Sequence, residues 1–154
     1  MQLSTFLDFD ANRPALAAAN KRALFQSLGQ IAGQRLGIEP GELVAALAER
    51  ERLGSTGFGG GVAIPHGKVM GLKRIYGLVA RLAEPIDYKA IDNDPVDLVF
   101  LLLSPPDAGA DHLKALAAIS RVVRHAPTLE KLRGARSRDA LAAVLMGVDE
   151  PHAA

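Results

Sequence analysis

The chain has no cysteine and no tryptophan, and aromatic residues make up 5% of its 154 positions. Without cysteine, disulfides and thiolate metal sites are excluded, and the composition fits a reducing compartment. Charge of one sign is also missing. Lys and Arg number 18 against 17 Asp and Glu, giving a net charge of +1, and the basic residues are scattered. No stripe of the kind that binds nucleic acid emerges. No apolar run approaches the roughly 20 residues of a membrane-spanning helix. The small-residue stretch Ala15 to Ala19 lacks the preceding apolar region of a secretory signal. A soluble cytoplasmic protein is expected, with no membrane insertion. There is no internal repeat and no low-complexity linker. What is present is 49% hydrophobic content in a length that suits one domain with a real core.

The densest chemistry lies in Glu49 to Lys68, ERERLGSTGFGGGVAIPHGK. His66 stands between Pro65 and Gly67. Pro65 fixes its own φ and pushes Ile64 toward an extended conformation. Gly67 lets a partner group or backbone approach closely, and Gly57, Gly59, Gly60 and Gly61 let the segment turn. These features present a side chain rather than bury it. They fit an ordinary surface loop as well as a reactive histidine. Standard phosphate loops do not decide the matter. Five residues rather than four separate Gly61 from Gly67, and Val62 stands where a third glycine of G-x-G-x-x-G would be.

The remaining chain reads as alternating helices and strands. Leu3, Phe6, Leu7 and Phe9 can cap a core, and Leu16 to Ala19 reads as a short strand. Lys21 to Leu36 has a helical stripe of Leu24, Leu28, Ile31 and Ala32, with Asn20 as N-cap and Gly37 as C′. A second helix begins near Pro40 and carries Leu43, Val44 and Leu47 inward. Arg50 continues that stripe at the helix end, while Arg52 points elsewhere. An arginine there needs an anion or a carbonyl partner, and its own helix carbonyls would serve. Val62 to Ile64, Ile75 to Ala83 and Val96 to Leu103 read as strands, the last buried on both faces. Glu84-Pro85 ends the second of these, and Pro105-Pro106 the third. Asp111 to Arg124 is helical, with His112 on its inner edge in the first turn beside Leu116, Ile119 and Val123. The N-terminal field there keeps an imidazole neutral. Pro127 to Leu132 and Ser137 to Met146 close the chain as helices, before a tail from Glu150 to Ala154. The expected fold is α/β, a mixed central β-sheet around Val96 to Leu103 with helices on both faces.

Glu51, then Phe58-Gly59, then Val62-Ala63-Ile64-Pro65-His66-Gly67 resembles the signature of the type-2, fructose/mannitol-class IIA domains of the bacterial phosphotransferase system. LGSTGFGGGVAIPHGK is most similar to the nitrogen-regulatory branch, and the likeness runs through IDNDPVDLVFLLL and ADHLKALAAIS. The resemblance implies a single IIA domain over residues 1–154. It implies a phosphocarrier phosphorylated on His66 by an HPr-like carrier. Arg50 then stabilises the phosphoryl group, and His112 is the family's second histidine, beside the carrier but not itself phosphorylated. Thr56, with the loop around Ser55 and Gly57, is expected to add phosphate donors. No cofactor and no metal is required. His66, His112 and Asp111 match no standard zinc spacing, and Asp92, Asn93, Asp94 and Asp97 lack the calcium-loop pattern. Phe58, Val62, Val69 and Met70 form either a docking ring for the donor or ordinary core. His125 and His152 are expected to be bystanders.

Two roles share this chemistry. In the regulatory role, the phosphorylation state controls target proteins such as sensor kinases or potassium transporters, in nitrogen and potassium homeostasis. In the transport role, a sugar-specific IIA subunit passes the phosphoryl group to a IIB domain. The GSTG and PHGK wording leans toward regulation. A binding module without phosphotransfer is a third reading, and a zinc hydrolase a distant fourth. Oligomeric state leaves no trace in the sequence.

Overall fold

A computed structural model of the protein describes residues 1–150. His152 and all of the expected tail but Glu150 lie outside them. Two short 3₁₀ turns, Leu3–Thr5 and Phe9–Ala11, precede β1 (Arg13–Leu16), α1 (Lys21–Leu36) and α2 (Pro40–Arg52). Then come β2 (Gly57–Gly59), β3 (Val62–Ala63), β4 (His66–Lys68), β5 (Tyr76–Ile86) and β6 (Val96–Ser104). Helices α3 (Gly109–Val123), α4 (Ala126–Gly134) and α5 (Arg138–Asp149) complete the chain.

The six strands form one mixed sheet in the order β1-β5-β6-β3-β2, and β4 pairs with β6 as well. β5 and β6 are antiparallel, as are β2 and β3, whereas β1 runs parallel to β5 and both β3 and β4 run parallel to β6. The α/β fold with helices on both faces is the one expected. The VDLVFLLL run supplies the reason. Val99, Leu101 and Leu103 face a core built with Leu24, Leu28, Leu43 and Leu47 from α1 and α2. Leu98, Phe100 and Leu102 face a second core built with Ile119, Val122, Leu132, Leu141 and Leu145 from α3, α4 and α5. Successive residues point to opposite faces of a strand, so only an all-apolar run can feed both layers. Each such leucine contributes about 1.5–3 kcal/mol on full burial.

The caps behave as their side chains dictate. Asn20 Oδ1 accepts from Ala23 N–H at 2.9 Å, and Ser137 Oγ accepts from Ala140 N–H at 3.0 Å. Gly37 ends α1 in the left-handed region. Three boundaries differ from the sequence reading. The first strand is Arg13–Leu16 rather than Leu16 to Ala19, because it pairs with β5 while α1 starts only at Lys21. β5 runs on through Pro85 to Ile86. Its register against β6 shifts between Arg81 and Ile86, so a residue without an N–H falls where the ladder is already broken. β4 forms at His66–Lys68, where a loop seemed natural, and pairs with Leu102, Leu103 and Ser104. Smaller shifts start α3 at Gly109 and widen α4 to Ala126–Gly134. No helix among the described residues is long and apolar enough to cross a membrane.

Candidate functional site

Three elements bring His66, Arg50 and His112 together. β4 holds His66 beside the end of β6. α2 packs against β4 and delivers Arg50 from its last turn. α3 leaves the end of β6 after a short turn and delivers His112 from its first turn. Gly67 explains why α2 comes so near. A Cβ on Gly67 would stand 3.0 Å from the Ala46 carbonyl oxygen and 3.2 Å from the Ala46 Cβ. The close approach that Gly67 permits is therefore made by the chain's own helix, one turn before Arg50.

His66 is half-buried. Its Nδ1 lies 2.7 Å from the Ile64 carbonyl oxygen. A carbonyl only accepts, so Nδ1 carries the proton. Arg50 Nε–H donates to His66 Nε2 at 3.1 Å, so Nε2 holds a lone pair. Both contacts specify the same neutral tautomer. Burial lowers the His66 pKa from its ordinary value and Arg50 adds to this, while the Ile64 hydrogen bond and the Glu51 charge oppose it. The ring is thus neutral, with its lone pair on Nε2, the form in which an imidazole can act as a nucleophile.

Arg50 makes both contacts left open by the sequence. Its Nη1–H donates to the Gly54 carbonyl at 2.9 Å, past the end of α2, while Nε faces His66. Binding the helix-terminal segment is how the guanidinium is aimed. Arg52 instead pairs on the surface with Glu49.

His112 lies with its ring centroid 5.6 Å from that of His66, the planes tilted by 46°. Its Nδ1 is 2.6 Å from Ser104 Oγ, and Ser104 is fully buried. Burial lowers its pKa, and His66 and Lys68 lower it further. Neutrality at the start of α3 was expected from the helix field; burial is the largest cause. Two neutral imidazoles beside a guanidinium can offer a lone pair to an electrophilic centre without prior proton removal, with the guanidinium at hand for negative oxygens attached to that centre.

The expected phosphate donors of the Ser55 to Gly57 loop are engaged otherwise. Thr56 N–H and hydroxyl both donate to the Glu51 carboxylate. Gly57 N–H donates to Ser55 Oγ at 3.0 Å. A carboxylate of the chain already takes the anion's place there. Val62 and Val69 are core residues, 0% and 3% exposed, and leave the proposed docking ring. Phe58 and Met70 remain exposed, and Leu53 and Leu113, unremarked in the sequence, join them. Leu53, Met70 and Leu113 each follow a site residue within four positions. The Asp92 region is a turn: Asp92 accepts from Gly60 and Asp94 N–H, and Asp97 pairs with Arg133. Asp111 is exposed, and among the described residues no group of three metal-ligating side chains gathers. His125, at the N-cap of α4, bonds Thr128 away from these rings.

Ser104 and Glu51 touch the candidate site, and sequence reasoning gave neither a role there. Ser104 carried a signal, as the hydroxyl that ends the apolar run Leu98 to Leu103. Glu51 was visible in the motif but had no assigned partner.

Comparison with known proteins bears on the family and the fold. The family described as phosphoenolpyruvate-dependent sugar phosphotransferase system, EIIA 2, matches residues 6–147. A nitrogen regulatory protein of Bradyrhizobium diazoefficiens is 46% identical over 145 residues, covering 94% of this chain and 95% of the relative. A phosphotransferase-system fructose-specific EIIA component of Haloferax volcanii is 42% identical over 105 residues, covering 68% of each. The crystal structure of nitrogen regulatory protein IIA-Ntr from Neisseria meningitidis superposes with a TM-score of 0.87 at 31% identity. It covers 93% of this chain and 98% of that one.

Proposed function

The chain belongs to the EIIA 2 family of the phosphoenolpyruvate-dependent sugar phosphotransferase system, and from that premise we propose that it is a regulatory phosphocarrier modified on His66. The observation that carries the reading is the tautomer: Nδ1–H bonded to Ile64, and an Nε2 lone pair facing Arg50. An HPr-like carrier donates the phosphoryl group. Its phosphorus–nitrogen bond breaks as a bond forms from phosphorus to His66 Nε2. The donor imidazole departs neutral, and no proton leaves His66, because Nε2 carried none. Positive charge developing on the ring is met by the Ile64 carbonyl at Nδ1–H. Arg50 turns its N–H groups from Nε2 to the phosphoryl oxygens, as charge-assisted bonds favour. With Ser104 donating to Nδ1 of His112, the His112 Nε2–H is free to donate to the same oxygens.

A regulatory role is supported by the nitrogen-regulatory names of similar proteins. The phosphoryl group adds about two negative charges to a site whose residues are followed in the sequence by exposed Leu53, Met70 and Leu113. A target that seats its apolar residues there is gained or lost with phosphorylation. Sensor kinases and potassium transporters are the target classes proposed. The second reading is a sugar-specific subunit relaying the group to a IIB domain, favoured by the similarity to a fructose-specific component.

The test is incubation with phosphoenolpyruvate, enzyme I and an HPr-like carrier, followed by intact-mass measurement. One acid-labile phosphoryl group on wild type, absent from His66→Ala, is expected. An unmodified wild type beside an active donor pair refutes the phosphocarrier and leaves a binding module. Onward transfer to a purified IIB domain would favour the transport role over the regulatory one.

A further inference from the structure

Resting on the reading of His66 as the phosphoryl acceptor, we propose that Glu51 is a positioning residue that fixes the reactive tautomer of His66 through Thr56 and Ile64. Glu51 follows Arg50 in the last turn of α2, and its side chain is only 9% exposed. Its carboxylate accepts from Lys21 Nζ at 2.7 Å, from Thr56 N–H at 3.0 Å, and from the Thr56 hydroxyl. The directions follow from the donor inventory. A carboxylate only accepts, so the single Thr56 hydroxyl proton goes to Glu51. Tyr88 O–H, 2.7 Å away, must then donate to Thr56 Oγ1. Tyr88 is fully buried, and the Lys21 ammonium sits 4.4 Å from its ring centroid. Every polar group of this cluster has a partner. Burial works against the ionised carboxylate, but the Lys21 and Thr56 bonds outweigh it and hold Glu51 below the ordinary range.

Thr56 is thereby gripped at its N–H and its hydroxyl, which aims its carbonyl. That carbonyl accepts from Ile64 N–H at 2.9 Å. Ile64 is held in turn, with Pro65 fixing the next φ. The Ile64 carbonyl then accepts from His66 Nδ1–H at 2.7 Å. Three successive hydrogen bonds thus connect a buried carboxylate to the ring nitrogen that must stay protonated while Nε2 attacks. Outer partners of this kind set which ring nitrogen of a histidine is free. A Glu51 that merely tied α2 to the loop would affect stability and leave the tautomer alone.

The test is ¹⁵N–¹H correlation NMR of the His66 ring, with single-turnover transfer from a phosphorylated HPr-like carrier. Wild type should show Nδ1–H alone. Glu51→Gln puts an NH₂ where one carboxylate oxygen accepted, so it cannot serve Lys21 and Thr56 together. A visible Nε2–H fraction is expected, with transfer slowed roughly tenfold and donor affinity unchanged, as when an orienting partner is lost. Thr56→Val keeps the N–H bond to Glu51 and loses only the hydroxyl, so a smaller shift in the same direction is expected. A folded Glu51→Gln whose His66 stays wholly Nδ1–H overturns the proposal, however much stability it has lost. Should Glu51→Gln not fold, Thr56→Val decides: an Nε2–H fraction supports the relay, and its absence overturns it. A wild type that takes no phosphoryl group while Glu51→Gln still shifts the tautomer supports the relay and sinks the functional reading instead.

Discussion

Replacing Arg50 with methionine tests the chemistry most directly, because Arg50 acts in opposite senses before and during transfer. At rest its Nε–H occupies the Nε2 lone pair of His66 at 3.1 Å. That contact guards the lone pair but must break before attack, and losing it in the variant removes about 1 kcal/mol from the barrier. In the transfer proposed above, the guanidinium meets the phosphoryl oxygens, its orientation held by the Gly54 carbonyl at 2.9 Å. Losing a preorganised donor at such a centre costs about 2.7–4 kcal/mol. The difference, about 2–3 kcal/mol, slows transfer roughly 30- to 160-fold. Arg50→Lys keeps the charge without the planar fork, so it should fall between wild type and Arg50→Met. The pH profile adds an independent mark. Arg50 helps hold the His66 pKa down, so its removal raises that pKa. The acid limb of the rate should then move to higher pH. The assay is quenched single-turnover transfer from a phosphorylated HPr-like carrier, read by intact mass at saturating donor between pH 5 and 7.5. Arg50→Met within threefold of wild type would refute the role assigned to the guanidinium.

Three further outcomes are expected. Ser104→Ala removes the one side-chain partner of His112 Nδ1 and should slow transfer several-fold while leaving His66 modifiable; unchanged kinetics would make Ser104 a packing residue only. His66 and His112 both have folded-state pKa values below the ordinary 6.5, so the unfolded chain binds protons first. Stability is therefore complete above about pH 6.5 and declines as the pH falls through the two lowered values. Urea midpoints between pH 7.5 and 5 should show this decline, reduced in His66→Gln; a flat profile contradicts it. Gly67→Ala forces a Cβ against the Ala46 backbone of α2 and should cost about 1–3 kcal/mol by overpacking. Urea denaturation measures the loss, and wild-type stability would mean that α2 is not pressed on β4.

The fold was legible wherever a single segment carried its own pattern. The VDLVFLLL run demanded a strand between two layers, and Val99 and Phe100 now face opposite cores. Asn20 and Ser137 announced their helices because a cap is a local bond. Boundaries failed where pairing overrode propensity. Pro85 looks like a terminator until a register shift in the neighbouring strand removes the need for its N–H. β4 is three residues around a glycine, and nothing local makes it a strand. It exists because the end of β6 offers Leu102 to Ser104 as partners.

The site divides along the same line. Arg50 and His112 could be placed on inner faces from helical spacing alone. Both now stand beside His66, and Arg50 does so because Leu43 and Leu47 are buried on the same stripe. The relative placement of three separate elements is not a property of any one of them. Val62 and Val69 resembled docking residues because they flank the histidine, yet each packs into the core, on opposite sides of the sheet. Glu51 and Thr56 show the limit most clearly. In the sequence, a hydroxyl, a glycine and free N–H groups near a reactive histidine look like an anion site. The fold puts the chain's own carboxylate on those donors and fastens the carboxylate to a lysine from α1. A segment that serves as an anion cradle in isolation becomes, once Lys21 and Tyr88 arrive, the rigid wall against which Ile64 and His66 are set. That substitution depends on contacts 30 and 32 residues apart in the chain, and for that reason no reading of the motif alone could assign it.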